Sequence, residues 1–498
     1  MSYTPQKRTS FNLSVLLNSS STAINVVLLL VEGMIASRFV TEDNNGIFIV
    51  LYSLINFFMV FSDLGFKSGI TQRIAAATDN KKAILANSAI TFRLLLTAIL
   101  AFFLWLSQDL IATFDGFEDI NQYIIFVIPM FFATSMDELM IGILRGFQIH
   151  KPLATLQIVK AVTRLGVTAL LVVVYDLQLL ALIISWTAGL GLASVIAYFS
   201  LPIKKRLMID FSAVQSMLEF FRPLILIRVV AFFRIYASNF LLAGLLGPES
   251  VAFYAFAQRI PNGLQSLTES YNSVFYPRIT EQRANGENER ANFLLNNSLR
   301  ILCFLLGGIA LFGFMFGEEM MTLLFSTTYS NAGPLFGLIL VGLQVQIVNT
   351  FMGFALTGSG NPKETSIAIT ISTPLMLGLI YLLIMVLPNG VYGPIVGIII
   401  EASILNYVFR RIGHKYDYLV SPWLYLKPII ITTAGIGLSV FFEDNFNLAD
   451  SVWISWSANC AILCMYVIAN YSTNVITNED VKYVFASVKK KKPVPADA

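Results

Sequence analysis

Two histidines and three cysteines in 498 residues leave little from which to build a metal centre or a disulfide framework. Cys303, Cys460 and Cys464 all sit inside apolar runs and read as small core residues, while His150 and His414 fall in expected loops. Charge is equally scarce: 13% of residues are Asp, Glu, Lys or Arg, against about 25% in ordinary soluble domains. Nucleotide and catalytic signatures are missing too. There is no G-x-x-x-x-G-K-[ST] loop to cradle ATP phosphates, no G-x-S-x-G nucleophile turn and no H-E-x-x-H zinc motif. No cofactor is expected, and no soluble basic platform exists for nucleic acid.

What fills the chain instead is apolar sequence, 56% of it. A single water-soluble core does not grow to absorb such an excess, so the apolar surface calls for lipid as its solvent. A bilayer-crossing helix needs about 20 residues. Runs of that length recur at 13–37, 46–64, 83–106, 121–143, 153–175, 178–200, 223–246, 251–276, 293–317, 333–356, 364–387, 391–412, 424–442 and 452–471. The expected fold is an all-α integral membrane bundle of about fourteen helices. The first run is too long for the apolar core of a signal peptide and lacks a cleavage site, so it is expected as a span.

Loop charges orient these spans, because Lys and Arg concentrate on the cytoplasmic side. With the N-terminus inside, Arg38 is the one Lys or Arg between spans that falls outside. Inner segments collect Lys67, Arg73, Lys81, Lys82, Lys204, Lys205, Arg206, Arg222 and the tail Lys489 to Lys492, which could also meet anionic lipid. Outer segments carry acids such as Asp109, Asp115, Glu118 and Asp119. An odd number of spans would scramble this alternation, so both termini are expected in the cytoplasm. The outer loops reach only roughly fifteen residues, too short for an outer catalytic domain, and whatever the protein does happens within the membrane.

Chemistry repeats about 207 positions apart. Arg93 matches Arg300, Glu32 matches Asn239, and Asp137 matches Gln344; at an offset of 206, Tyr52, Asn56 and Asp63 match Gln258, Asn262 and Glu269. The turn Gly146 to Lys151 has the Gly-to-Lys spacing of Gly358 to Lys363. Two six-helix lobes in parallel pseudo-repeat are expected, 1–200 and 223–412, joined by a cytoplasmic linker at 201–222. Two added helices follow at 413–471, then a basic tail at 472–498. Lobes related in this way commonly enclose a central site and work by alternating access.

Polar groups at membrane depth mark the candidate site, since burying charge in hydrocarbon costs about 2.5–3.5 kcal/mol on insertion scales. Tyr254, Gln258, Asn262, Gln265, Glu269, Asn272 and Tyr276 follow one another at helical spacing and form one polar face beside Arg259 and Pro261. Gln157, Lys160, Arg164 and Thr168 form another face, with Arg164 roughly 16 Å into its span. Arg93, Arg234 and Arg300 lie at comparable depth. Guanidinium groups bind phosphate through paired charge-assisted hydrogen bonds. Arg93, Lys160, Arg164, Arg234, Arg259, Arg300, Gln258, Asn262 and Gln265 are therefore expected to line a cavity for an anionic ligand. Glu32, Asp63, Asp137 and Glu269 are candidates for ion coupling. The competing reading pairs the arginines with Asp137, Glu138 or Glu401.

The turns between these spans resemble those of the polysaccharide-exporter branch of the multidrug/oligosaccharidyl-lipid/polysaccharide transporter superfamily, the Wzx-type flippases. The matching segments are Ala36-Ser-Arg-Phe39 with Gly46-Ile-Phe48, Ser62-Asp-Leu-Gly-Phe66, Leu144-Arg-Gly-Phe-Gln148, Gly247-Pro-Glu249 with Tyr254, and Phe275-Tyr-Pro-Arg278. Many members of that branch have twelve helices; fourteen also occur in peptidoglycan-precursor flippases of the superfamily. The resemblance implies translocation of an undecaprenyl-diphosphate-linked oligosaccharide from the inner to the outer leaflet of a bacterial cell membrane, in O-antigen, capsule or exopolysaccharide assembly. Membrane lipid, and a polymerase or glycosyltransferases of the same pathway, are the implied partners. A multidrug or cation antiporter and a peptidoglycan-precursor flippase are the alternatives.

Overall fold

The computed structural model describes residues 11–63, 66–114, 116–117, 120–219, 225–446 and 452–477. Asp115, Glu118, Asp119, Arg222 and the lysine tail lie outside the described residues, as does the side chain of Glu269. The described chain is all-helical. In order it forms α1 (Phe11–Phe39), α2 (Glu42–Asp63), α3 (Phe66–Ala76), α4 (Asp79–Leu106), α5 (Gln108–Ile111), α6 (Asn121–Gly146), α7 (His150–Ala169), α8 (Gln178–Ser200) and α9 (Phe211–Glu219). There follow α10 (Ile225–Leu246), α11 (Pro248–Ala284), α12 (Asn288–Met315), α13 (Gly317–Leu324), α14 (Gly333–Gly358), α15 (Pro362–Val386), α16 (Gly393–Lys415), α17 (Trp423–Phe446) and α18 (Val452–Ser472).

Among the described residues, 13 helices are long and apolar enough to cross a membrane, which makes this a multi-pass membrane protein. The expected fourteenth is α11. At 37 residues it would reach about 55 Å, ample for a hydrocarbon core of about 30 Å, but its polar face leaves it short of the apolarity of the others. The repeat is visible in the helix ends. α1 ends at Phe39 and α10 at Leu246, 207 positions later; α2 starts at Glu42 and α11 at Pro248, 206 later. α11 covers the positions that correspond, at the same offset, to both α2 and α3.

The chain divides into two compact units. The first comprises 1–259, 324–329 and 384–391. In it Phe66, Ile70 and Ile74, spaced four apart, put one face of α3 into a core shared with Ile90 of α4, Ile143 and Leu144 of α6 and Met217 of α9. Small residues let α3 close on α6: a Cβ on Gly142 would stand 2.8 Å from the Lys67 carbonyl oxygen. Thr71 Oγ1 donates to the Gly142 carbonyl at 2.8 Å. Gly46 of α2 meets the start of α11 so closely that a Cβ would lie 1.8 Å from the Pro248 carbonyl oxygen. On α4 the outward side chains Leu95, Ile99, Phe102, Phe103 and Leu106 are more than half exposed, an apolar belt suited to lipid and not to water. Asp210 caps α9: its carboxylate accepts from the Ser212 and Ala213 amides at 2.9 and 3.1 Å and from the Ser212 hydroxyl at 2.6 Å. Those donors hold its carboxyl below the usual carboxylate range.

The second unit comprises 260–323, 330–383 and 392–498. α12 forms its spine, with Leu295, Leu299, Cys303 and Leu306 turned into a core completed by Val348, Phe351, Met352 and Ala355 of α14 and Phe409 of α16. Cys303 is buried there, whereas Cys460 and Cys464 are exposed. This corrects the expectation that all three are core residues: α18 packs on one face only, and the two cysteines, four apart, share the other.

Orientation is directly testable. Reporter fusions at Glu249 and Glu319 should read outside, and fusions at Lys81, Lys205 and the C-terminus inside; an external C-terminus would overturn the even helix count.

Candidate functional site

Three groups of ionisable side chains are built into the first unit. The first joins α1, α7 and α8. Glu32 of α1 is 3% exposed. One of its oxygens accepts from Arg164 Nε of α7 at 2.5 Å and the other from Trp186 Nε1 of α8 at 2.8 Å. The Arg164 guanidinium also lies 4.4 Å from the centre of the Trp186 ring, a cation–π arrangement that adds to the ion pair. Arg259 of α11 approaches the same place, donating from Nη1 to the Leu29 carbonyl at 3.2 Å and lying 4.5 Å from the Phe256 ring centre. Its guanidinium occupies the space a side chain at position 33 would fill, with Nη1 1.9 Å from an ideal Cβ on Gly33. Two guanidinium groups therefore face one carboxylate.

The second group pairs Lys160 Nζ of α7 with Asp137 Oδ2 of α6 at 3.1 Å. Asp137 Oδ1 is buried and has no hydrogen-bond partner.

The third group surrounds an open cavity of about 360 Å³ where α2 ends and α3 begins. Arg93 of α4 is 1% exposed and holds the wall. Its Nε donates to Ser135 Oγ at 2.8 Å, its Nη1 to the Ser62 carbonyl and, at 3.3 Å, to Asp63 Oδ1. Ser62, Thr97 and Ser135 hydroxyls close a triangle behind it at 2.8–3.2 Å. Asp63 Oδ1 also caps the Lys67 amide at 3.1 Å, and Asp63 Oδ2 lies 3.8 Å from Arg228 Nη2 of α10. Lys67 Nζ pairs with Glu138 Oε2 of α6. Tyr52, Asn56, Phe232 and Tyr236 complete the lining. Two carboxylates thus meet three cations. Arg93 is sealed in, whereas the Arg228 side chain is 45% exposed and that of Lys67 25%. A surplus positive charge, part-exposed cationic donors and aromatic walls suit an anionic ligand bearing hydroxylated rings.

The sequence-predicted residues are therefore distributed. Arg164 and Arg259 come together around Glu32; Lys160 joins Asp137; Arg93 joins Asp63. Gln258 of α11 is half-buried in the first unit. Arg234 of α10 is half-buried and engaged. In the second unit Asn262 and Gln265 are exposed, and Arg300 of α12 donates to Asn297 Oδ1 at 3.1 Å. Among the described residues, Arg164 pairs with Glu32 and Arg93 with Asp63, while Asp137 and Glu138 pair with lysines. Arg228 and Trp186 escaped the sequence reading. Arg228 sits at the inner end of an apolar run, where a basic residue ordinarily marks the membrane boundary, and an indole gives no sign in sequence of a carboxylate 154 residues away. Among the described residues no group of three or more His, Cys, Asp or Glu is gathered for a metal.

Residues 35–334 match the model of a family described as polysaccharide biosynthesis protein. No curated protein matches the chain by sequence. Solved structures share its fold. The lipid II flippase MurJ in an inward closed conformation superposes with a TM-score of 0.72 at 15% identity, over 93% of this chain and 100% of that one. An inward-facing multidrug resistance MATE family transporter of the MOP superfamily gives 0.68 at 13% identity, over 81% and 98%. A MOP superfamily transporter from Pyrococcus furiosus, whose binding pocket is described as of reverse polarity, gives 0.55 at 15% identity, over 81% and 94%. These neighbours are flippases and transporters rather than enzymes.

Proposed function

The chain belongs to the polysaccharide biosynthesis protein family, and from that premise we propose that it is a flippase carrying undecaprenyl-diphosphate-linked oligosaccharide from the cytoplasmic to the outer leaflet. The observation that carries the reading is the cavity lined by Asp63, Lys67, Glu138 and Arg228, to which Arg93, buried behind its wall against Asp63, adds a surplus positive charge. The sugar and diphosphate cannot cross hydrocarbon unaided, while the polyprenyl tail prefers lipid throughout, at about 0.8 kcal/mol per CH₂ group. The head therefore travels in the protein and the tail stays outside. Arg228 and Lys67 receive the diphosphate; Tyr52, Phe232 and Tyr236 offer stacking faces to the sugars. Arg93 fixes Asp63, Arg164 is positioned by Glu32 and Trp186 and Arg259 by the Leu29 carbonyl and the Phe256 ring, with Lys160 held by Asp137. Arg234, Arg300, Gln258, Asn262 and Gln265 contribute further donors as the two six-helix lobes, 1–200 and 223–412, alternate between inward and outward access. Coupling is assigned to Asp63, which exchanges Arg228 for a proton or cation when the diphosphate takes Arg228, with Glu269 as its repeat counterpart. Pathway glycosyltransferases would supply the cargo and a polymerase would receive it.

The likeness to MurJ across 93% of the chain keeps a peptidoglycan-precursor cargo as the second reading, since it carries the same polyprenyl diphosphate. Proteoliposomes loaded with labelled undecaprenyl-diphosphate oligosaccharide or with lipid II should separate the two by which head becomes accessible to an impermeant quencher. Proton-driven uptake of an organic cation, with neither lipid moved, would instead identify an antiporter.

A further inference from the structure

The second unit holds a cavity of about 240 Å³ between α14, α16 and α17 that takes no part in the reading above. Two of its polar members keep unused hydrogen-bonding atoms. Arg410 Nε is buried without a hydrogen-bond partner, and Arg410 makes no ion pair among the described residues. Asn406 is 6% exposed and spends its amide on the Val345 carbonyl at 3.2 Å, leaving Oδ1 buried and unbonded. An unused guanidinium beside an unused carbonyl oxygen fits an anion that also carries a hydroxyl. The rest of the lining is largely apolar, with Val345, Leu426 and Ile429 beside the rings of Tyr407 and Tyr425 and the Ser403 hydroxyl. Along α16, Ile400, Ile404 and Tyr407 form an exposed stripe at helical spacing, 37–56% exposed, leading away from Arg410. Arg410 lies five residues before the end of α16, roughly 8 Å, the depth of a headgroup rather than of the bilayer centre. The last turns add Arg411, tied to Tyr407 Oη at 3.0 Å, with His414 and Lys415. Cations at such a boundary draw anionic lipid.

We propose that this cavity binds an anionic phospholipid with a hydroxylated headgroup. Its phosphodiester sits on Arg410, its headgroup hydroxyl donates to Asn406 Oδ1, and an acyl chain lies along Val345, Leu426 and Ile429. The site serves a resident lipid and not the cargo, so its test is a binding measurement that stands whether or not the flippase reading does.

The purified full-length protein, delipidated in detergent, is titrated by native mass spectrometry with dioleoyl phosphatidylglycerol, dioleoyl phosphatidylcholine, dioleoyl phosphatidate, glycerol phosphate and inorganic phosphate. The wild type should bind phosphatidylglycerol at least about tenfold more tightly than phosphatidylcholine, and Arg410→Ala should erase about ten- to a hundredfold of that affinity. Should Arg410→Ala not fold, Arg410→Gln must show the same loss. Asn406→Leu should reduce the preference for phosphatidylglycerol over phosphatidate, which lacks the headgroup hydroxyl. Unchanged phosphatidylglycerol binding by the Arg410 variants, or equal binding of phosphatidylcholine, overturns the proposal. Inorganic or glycerol phosphate binding as tightly as the lipid would mark a free-anion site and overturn it too.

Discussion

Arg164→Ala should destabilise the protein by about 3 kcal/mol, the lower end of the range for stripping one partner from a buried ion pair. The size follows from what stays behind. Glu32 remains 3% exposed with its Trp186 hydrogen bond and Arg259 nearby, but it loses the 2.5 Å contact that neutralises it directly. Adding Glu32→Gln should recover most of the loss, because the remaining group is neutral and can still accept from Trp186. Thermal unfolding in detergent, followed on both single variants and the double, checks this. Losses that simply add would show that the two side chains do not act as a pair.

The opposite pattern is expected at Arg228. Its ion pair with Asp63 is 3.8 Å long and its side chain 45% exposed, so Arg228→Ala should leave abundance and unfolding temperature near wild type. Yet it should weaken binding of a polyprenyl diphosphate about ten- to a hundredfold, the loss of one charge-assisted hydrogen bond to a doubly charged head. Arg228→Lys should restore part of the affinity, keeping charge without the planar fork. Arg228→Glu should be worse than alanine. Arg93→Ala, by contrast, should cost abundance first, because Arg93 is 1% exposed and its loss leaves Asp63, Ser62 and Ser135 short of a partner. Titration of the purified variants with undecaprenyl diphosphate, beside their expression yields, separates a ligand-binding arginine from a scaffolding one. Wild-type affinity in Arg228→Ala would remove that residue from the site.

Much of the fold was legible because lipid imposes a coarse rule. Spans had to be about 20 residues long, and charge had to stay in the loops; thirteen of the expected fourteen appear as apolar helices. The exception was legible as well: the polar face that singled out 251–276 in sequence is what deprives α11 of apolarity. Depth identified Arg93 and Arg164 as special, and the repeat identified Asp63. Pairing could not be read. Glu32 and Arg164 are 132 positions apart, and nothing in the sequence distinguishes Glu32 from Asp137 or Glu138 as the partner of a given arginine. The exposure of Cys460 and Cys464 was equally hidden, since an apolar run reads alike whether a face meets protein or lipid.

The central claim, that this protein holds the diphosphate head of a lipid-linked glycan in a cationic cavity, is tested most directly by competition binding to the wild type in detergent. Undecaprenyl diphosphate should displace a labelled undecaprenyl-diphosphate oligosaccharide, while undecaprenol and an organic cation such as tetraphenylphosphonium should not. Displacement by the alcohol as effective as by the diphosphate, or displacement by the cation, would contradict the account.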